Sequence, residues 1–220
     1  MDNKSRFYDI ANKLNLKIAF KNESLFMKTI GTILFFNKGF MNSFITTIGS
    51  TVYFPSRDFL DKSGIEMLEV LCHEKCHERD HELNKLFPLL YLFPQILAPF
   101  AFLLCFYSWW LGLILGALFL LPLPAYWRKT YELRGYKMSL FVTSELCKEY
   151  NLSKEQIISN LNKSCDFFDK MFTGSSYYFM WMFGVRKELD ETVNKILSDD
   201  ILKDDPIYAE MRDLLVSTRV

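Results

Sequence analysis

The chain has 220 residues and balances 26 lysines and arginines against 26 aspartates and glutamates. That balance excludes a chain-wide basic surface for nucleic acid, and the length suits a single domain with a core of its own. Half of the residues are hydrophobic and 21 are Phe, a high content for a soluble domain, and the excess is concentrated in one part of the chain.

The first twenty residues mix Asp2, Lys4, Arg6, Asp9 and Lys13 with isolated apolar positions, and read as an amphipathic helix instead of an export signal. Residues 27–36 are apolar but too few to cross a bilayer, so they predict a buried strand or a short helix. Residues 44–48 and 51–54 are β-prone runs separated by Gly49-Ser50, a two-residue turn signal, and predict a hairpin ended by Pro55.

The next helix carries the chemistry. Ser63 with Glu66 three residues later makes a capping box, and Ile65, Leu68, Val70, Leu71, Cys72 and Cys76 supply an apolar face. Inside it stands His73-Glu74-Lys75-Cys76-His77, an H-E-x-x-H motif that uses two of the three histidines in the chain. Residues four apart share a helix face, so both imidazoles can bind one Zn²⁺ while Glu74 acts as general base toward a zinc-activated water. An edge strand beside such a helix can hold an extended peptide by backbone hydrogen bonds. On a continuous helix His81 would stand about 12 Å from His73, too far to share the metal. Asp80 and Glu82 read as solvated. The five cysteines contain no C-x-x-C pair and suggest a reducing compartment, with Cys72 and Cys76 as core residues.

Residues 86–127 contain no charged side chain. This stretch is long enough for two membrane passes, with Phe106-Tyr107-Ser108-Trp109 as the turn; the alternative is two very hydrophobic helices buried between other helices or at an oligomer interface. Pro88, Pro94 and Pro99 predict a broken or re-entrant first half, while Trp109 to Trp127 reads as the cleaner span. Lys75, Arg79 and Lys85 before it and Arg128 and Lys129 after it place both flanks, and the active site, on the cytoplasmic side.

A catalytic zinc needs a third protein ligand, and a hairpin returns the chain to where it left. Glu132, in a helix running through Met138, Leu140, Phe141 and Leu146, is delivered beside His73 and His77. Further on, Ser153 with Gln156 caps a helix carrying Ile157, Leu161 and Phe168, residues 173–176 read as a loop, and Asp204-Asp205-Pro206 starts a last helix. Tyr177 to Val185 is too short to span a membrane and reads as packing.

An H-E-x-x-H helix, a hydrophobic hairpin and a second helix opening with Glu resemble the integral-membrane gluzincins, such as the CAAX prenyl endopeptidases and the bacterial heat-shock membrane peptidases. The resemblance covers roughly Ile48 to Leu146. In that family the second motif reads Glu, two variable residues, a small residue and Asp; Glu132 and Gly135 match it, and Tyr136 stands where the Asp is expected. The resemblance implies a mainly α fold with a small β-hairpin or sheet, zincin-like, with a hydrophobic helical hairpin inserted between the two metal-binding helices. Residues 1–220 would form one metallopeptidase domain, with 86–127 as a membrane hairpin and 150–220 as a C-terminal helical part. It would hydrolyse a protein or peptide at the membrane, in contact with lipid. With His73 and His77 taken as ligands, Tyr136, Arg134 or a tyrosine of the Tyr177-Tyr178 pair are the candidates for the oxyanion, and His81 reads as exposed or supporting. The competing reading is a non-catalytic membrane scaffold or assembly protein whose motif is accidental or decayed.

Overall fold

The computed structural model describes residues 3–33, 39–63, 66–121, 123–174 and 184–219. The Ser63 and Glu66 side chains of the expected cap, and the Tyr177-Tyr178 pair, lie outside what is described. The first helix is shorter than the sequence suggests: α1 (Asn3–Lys13) stops at a left-handed turn, with Asn15 at φ 58°, and a strand follows, β1 (Lys17–Phe20). Two short helices, α2 (Leu25–Ile33) and α3 (Gly39–Asn42), lead to the expected hairpin of β2 (Thr46–Ile48) and β3 (Thr51–Phe54). Its turn is made by Gly49 at φ 59°, a backbone conformation that costs a glycine nothing.

The three strands lie in the order β1-β3-β2, with β1 parallel and β2 antiparallel to β3. Strand β3 is therefore central, and its Val52 and Phe54 are buried. Strand β2 is an outer strand lying against the metal-motif helix, α5 (Glu66–Leu83), which α4 (Arg57–Ser63) precedes.

The uncharged stretch forms α6 (Phe87–Leu92), α7 (Ala98–Leu103) and α8 (Trp109–Leu120), joined by 3₁₀ turns. Helices α7 and α8 run antiparallel, because Cys105 faces Gly112 while Phe102 faces Gly116. Tyr107 and Ser108 form the turn between them, as the sequence suggests. No helix among the described residues is long and apolar enough to cross a membrane.

Helix α9 (Tyr126–Glu149) then returns along α5, and this pair is the axis of the molecule. From Glu132 onward α9 is buried on nearly every side, because α6, α10 (Lys154–Thr173), α11 (Val185–Leu197) and α12 (Pro206–Ser217) surround it. Both sequence-read caps are present: Ser153 and Gln156 exchange side-chain and backbone bonds, and the Asp205 carboxylate accepts from the Ile207 N–H.

Candidate metal centre

Helical spacing puts His73 and His77 one turn apart on the buried face of α5, with their Nε2 atoms 3.0 Å from each other. Helix α9 crosses this face and presents Glu132, Gly135, Tyr136 and Ser139, the i, i+3, i+4, i+7 stripe of a single helix side. Glu132 sits in the second turn of α9, deeper in the helix than the sequence suggests. Its Oε2 lies 3.5 Å from His73 Nε2 and its Oε1 3.7 Å from His77 Nε2. All three donors lie within 4.8 Å of one another and all three residues are buried, so the group can hold a metal ion. The donor set tests well against a tetrahedral ion, whose ligand atoms stand about 3.3 Å apart at metal–ligand bonds near 2.0–2.1 Å.

Gly135 makes this approach possible. A β-carbon there would stand 2.5 Å from His73 Nε2, so any larger residue drives the imidazole off its position. Tyr136 packs its ring edge-on to His73 at 4.9 Å and stacks on Phe168 at 4.3 Å. Ser139 Oγ lies 3.4 Å from His73 Nδ1, whereas the buried His77 Nδ1 has no hydrogen-bond partner among the described residues.

The electrostatics bind proton and carboxylate together. Burial alone would lower the His77 pKa, but the Glu132 carboxylate, assisted by Glu74 and Asp80, overrules it and raises the value to about 9. Burial would likewise raise Glu132, and the facing imidazoles of His77 and His73 instead hold it well below the ordinary carboxylate range. Glu74 is buried and within Coulombic reach of His77 and of the Lys21 ammonium. Lys21 is itself fully buried, donating to the Phe40 and Phe44 carbonyls at 2.7 and 2.8 Å, with desolvation lowering its pKa to about 8.

Other candidates fall elsewhere. Arg134 is engaged with Asp80 and, at 2.7 Å, with Asp205. Asp80 is buried, contrary to its reading as a solvated residue, because that guanidinium offsets the cost of burying its charge. His81 stands apart from the three donors, its ring 6.1 Å from that of Phe87. Cys72 and Cys76 are free and buried in the core, and burial pushes the Cys72 thiol up to about 12.

No family model, characterised protein or solved structure matches the chain. The chemistry of the centre therefore rests on its own geometry, and that geometry adds a residue the sequence did not single out. Tyr91, on α6, donates its hydroxyl to Glu132 Oε1, with its ring 6.3 Å from that of His77. Arg128 holds it there, donating from Nε to the Tyr91 carbonyl at 2.9 Å, from Nη2 to Gln95 at 3.2 Å, and lying over the Tyr91 ring. The available signal was spacing: Phe87 and Tyr91 are four apart, and both line the centre, Phe87 at 6.2 Å from the His77 ring. Arg128 and Lys129, read as cationic flanks, are thus paired internally, Lys129 with Glu188.

Proposed function

We propose that this protein is a membrane-attached zinc metallopeptidase with a zincin-like arrangement and a cytoplasmic active site. The observation that carries the reading is the convergence of His73, His77 and Glu132 from two helices that the sequence separates by the uncharged stretch. Two nitrogens and a carboxylate oxygen are the donor set of catalytic zinc with an open fourth position. When bound, zinc supplies an activated water and polarises the scissile carbonyl.

The chain's own groups supply the rest. Glu74, on the same helix face region as the ligands, takes the proton from the attacking water and returns it to the leaving amine. The Tyr91 hydroxyl, a neutral donor beside the metal ligands, would turn its single proton from Glu132 to the developing oxyanion, a role worth about 100-fold or more in kcat. Strand β2, outermost in the sheet among the described residues and beside α5, is the strand that would pair with an extended peptide. The hydrophobic hairpin of residues 86–127 attaches the enzyme to lipid, and the cationic residues flanking it support a cytoplasmic face. The His77 Nδ1, without a hydrogen-bond partner among the described residues, and Tyr136 in place of a carboxylate favour the rival, a non-catalytic scaffold with an accidental or decayed motif.

Metal analysis of the purified protein separates the two. The peptidase reading expects one zinc per chain, lost in His77→Ala and Glu132→Ala and kept in Glu74→Gln, which loses peptide hydrolysis. Tyr91→Phe should keep its zinc and lose kcat with little change in KM. Unaltered metal content in Glu132→Ala rejects the ligand assignment; a protein that takes up no metal rejects the enzyme.

A further inference from the structure

We infer that the α7–α8 hairpin enters one leaflet of a bilayer as a wedge and does not cross it, which rests on the membrane attachment proposed above and changes its depth. Most of the exposed large hydrophobic side chains among the described residues lie between Leu86 and Trp127. On α8 they run from Trp109, Leu113 and Leu120 round to Trp110, Ile114 and Leu118, about half of the helix circumference at 100° per residue. On the other arm Phe100, Leu103 and Phe106 are exposed as well. A second copy of the chain would cover one flank; hydrocarbon covers every side.

The seam between the arms has the form that helices use in lipid. A β-carbon at Gly112 would lie 2.3 Å from the Cys105 backbone nitrogen, and one at Gly116 would lie 2.4 Å from the Phe102 ring. Two glycines four residues apart let the helices meet at van der Waals distance, which is the main source of association where surrounding chains are as apolar as leucine.

Length sets the depth. Helix α8 has 12 residues, so it reaches about 18 Å, against about 30 Å for the full hydrocarbon core. Beyond it the backbone turns extended at Leu121, with ψ 157°, and the other arm turns extended at Phe93, with ψ 139°. The N–H groups of Phe93 and Leu121 turn back to the Leu90 and Leu118 carbonyls and the helical ladder stops there, so these points belong in the headgroup layer or against protein. Gln95 and Leu121 meet at that level, where the Gln95 amide reaches the Leu121 carbonyl at 3.5 Å. The tip carries no charge to hold it at the far headgroups, and burying the Tyr107 and Ser108 hydroxyls costs less than drawing the polar Gln95–Leu121 level into hydrocarbon. The root of the wedge is Phe87 and Tyr91, which wall the metal centre. A wedge rooted there brings the centre to the membrane surface.

Cysteine accessibility in sealed liposomes of zwitterionic and anionic phospholipid tests the depth. Cys105, near the tip, is the probe in the unaltered chain, since Cys72, Cys76, Cys147 and Cys165 are buried; Ser108→Cys in a Cys105→Ser background is the second. One-leaflet insertion leaves both probes unlabelled by an impermeant maleimide supplied outside or inside the vesicles, and labelled once detergent is added. Labelling from the lumen means the hairpin crosses and overturns the wedge while leaving membrane attachment in place. Labelling from outside sealed vesicles, or release of the protein by carbonate, overturns both. Zinc content is independent of all these outcomes, so the metal reading stands or falls separately.

Discussion

At the scale of single residues the centre is built from one proton and one missing side chain. In the metal-free chain His77 keeps its proton up to about 9 because it faces the ionised Glu132 across 3.7 Å. A raised histidine contributes stability that is complete below its unfolded value of 6.5 and is lost as pH rises through about 9. The depressed Glu132 contributes stability that is present above its unfolded value of 4.5 and is lost as pH falls through its lower folded value. The metal-free Tm should therefore be highest between these two unfolded values and decline toward pH 9. Because a metal must displace any proton on His77, calorimetry at pH 7.5 in buffers of different ionisation enthalpy should show proton release on zinc binding; zero release would mean that His77 is already neutral at that pH or does not bind the zinc. Gly135→Ala places a methyl 2.5 Å from His73 Nε2, so zinc content should fall sharply while the helical circular dichroism stays unchanged.

At the scale of elements, caps and faces were legible from the chain alone. The Ser153–Gln156 box, the Asp205 cap and the Gly49 turn all form where local residue order predicts them. Ser153→Ala should lower stability by about 1 kcal/mol in urea titration and leave zinc content unaltered, since the cap lies beyond the C-terminal end of α9 while Glu132 sits in its second turn. Strand β1 was not legible. Its four residues carry no alternation of their own and form a strand because β3 offers a parallel partner, with Ile18 opposite Val52. Asp80 was misread for a similar reason, as its neighbour in space, Arg134, is 54 residues away.

At the scale of the whole molecule, α5 and α9 are tied together by core packing and by the metal donors between them. A ligand that binds only the folded chain adds about 2.7 kcal/mol at 100 times its dissociation constant. Chelation should thus lower the Tm, and added zinc should restore it in the natural sequence and fail to do so in Glu132→Ala. Arg6 closes the same body at its far end, fully buried and bonded to Glu149 at 2.7 and 2.9 Å and to the Leu215 carbonyl at 3.1 Å. Arg6→Ala would leave the α1–α9–α12 junction without its charge pair and should be among the more destabilising single changes outside the metal centre.

Sequence by itself determined the H-E-x-x-H face, the helix caps, the β-hairpin and the uncharged stretch with its turn, because each is a local periodicity or a contact between near neighbours. Glu132 was legible as the third donor from the closure of the hairpin, but only the tertiary structure decided that it stands in the second turn of α9, that Tyr91 bonds to its carboxylate and that Arg134 is committed to Asp80 and Asp205. Those contacts join residues 41 to 71 positions apart. Spacing along a helix says which side chains share a face; packing between helices decides which faces meet.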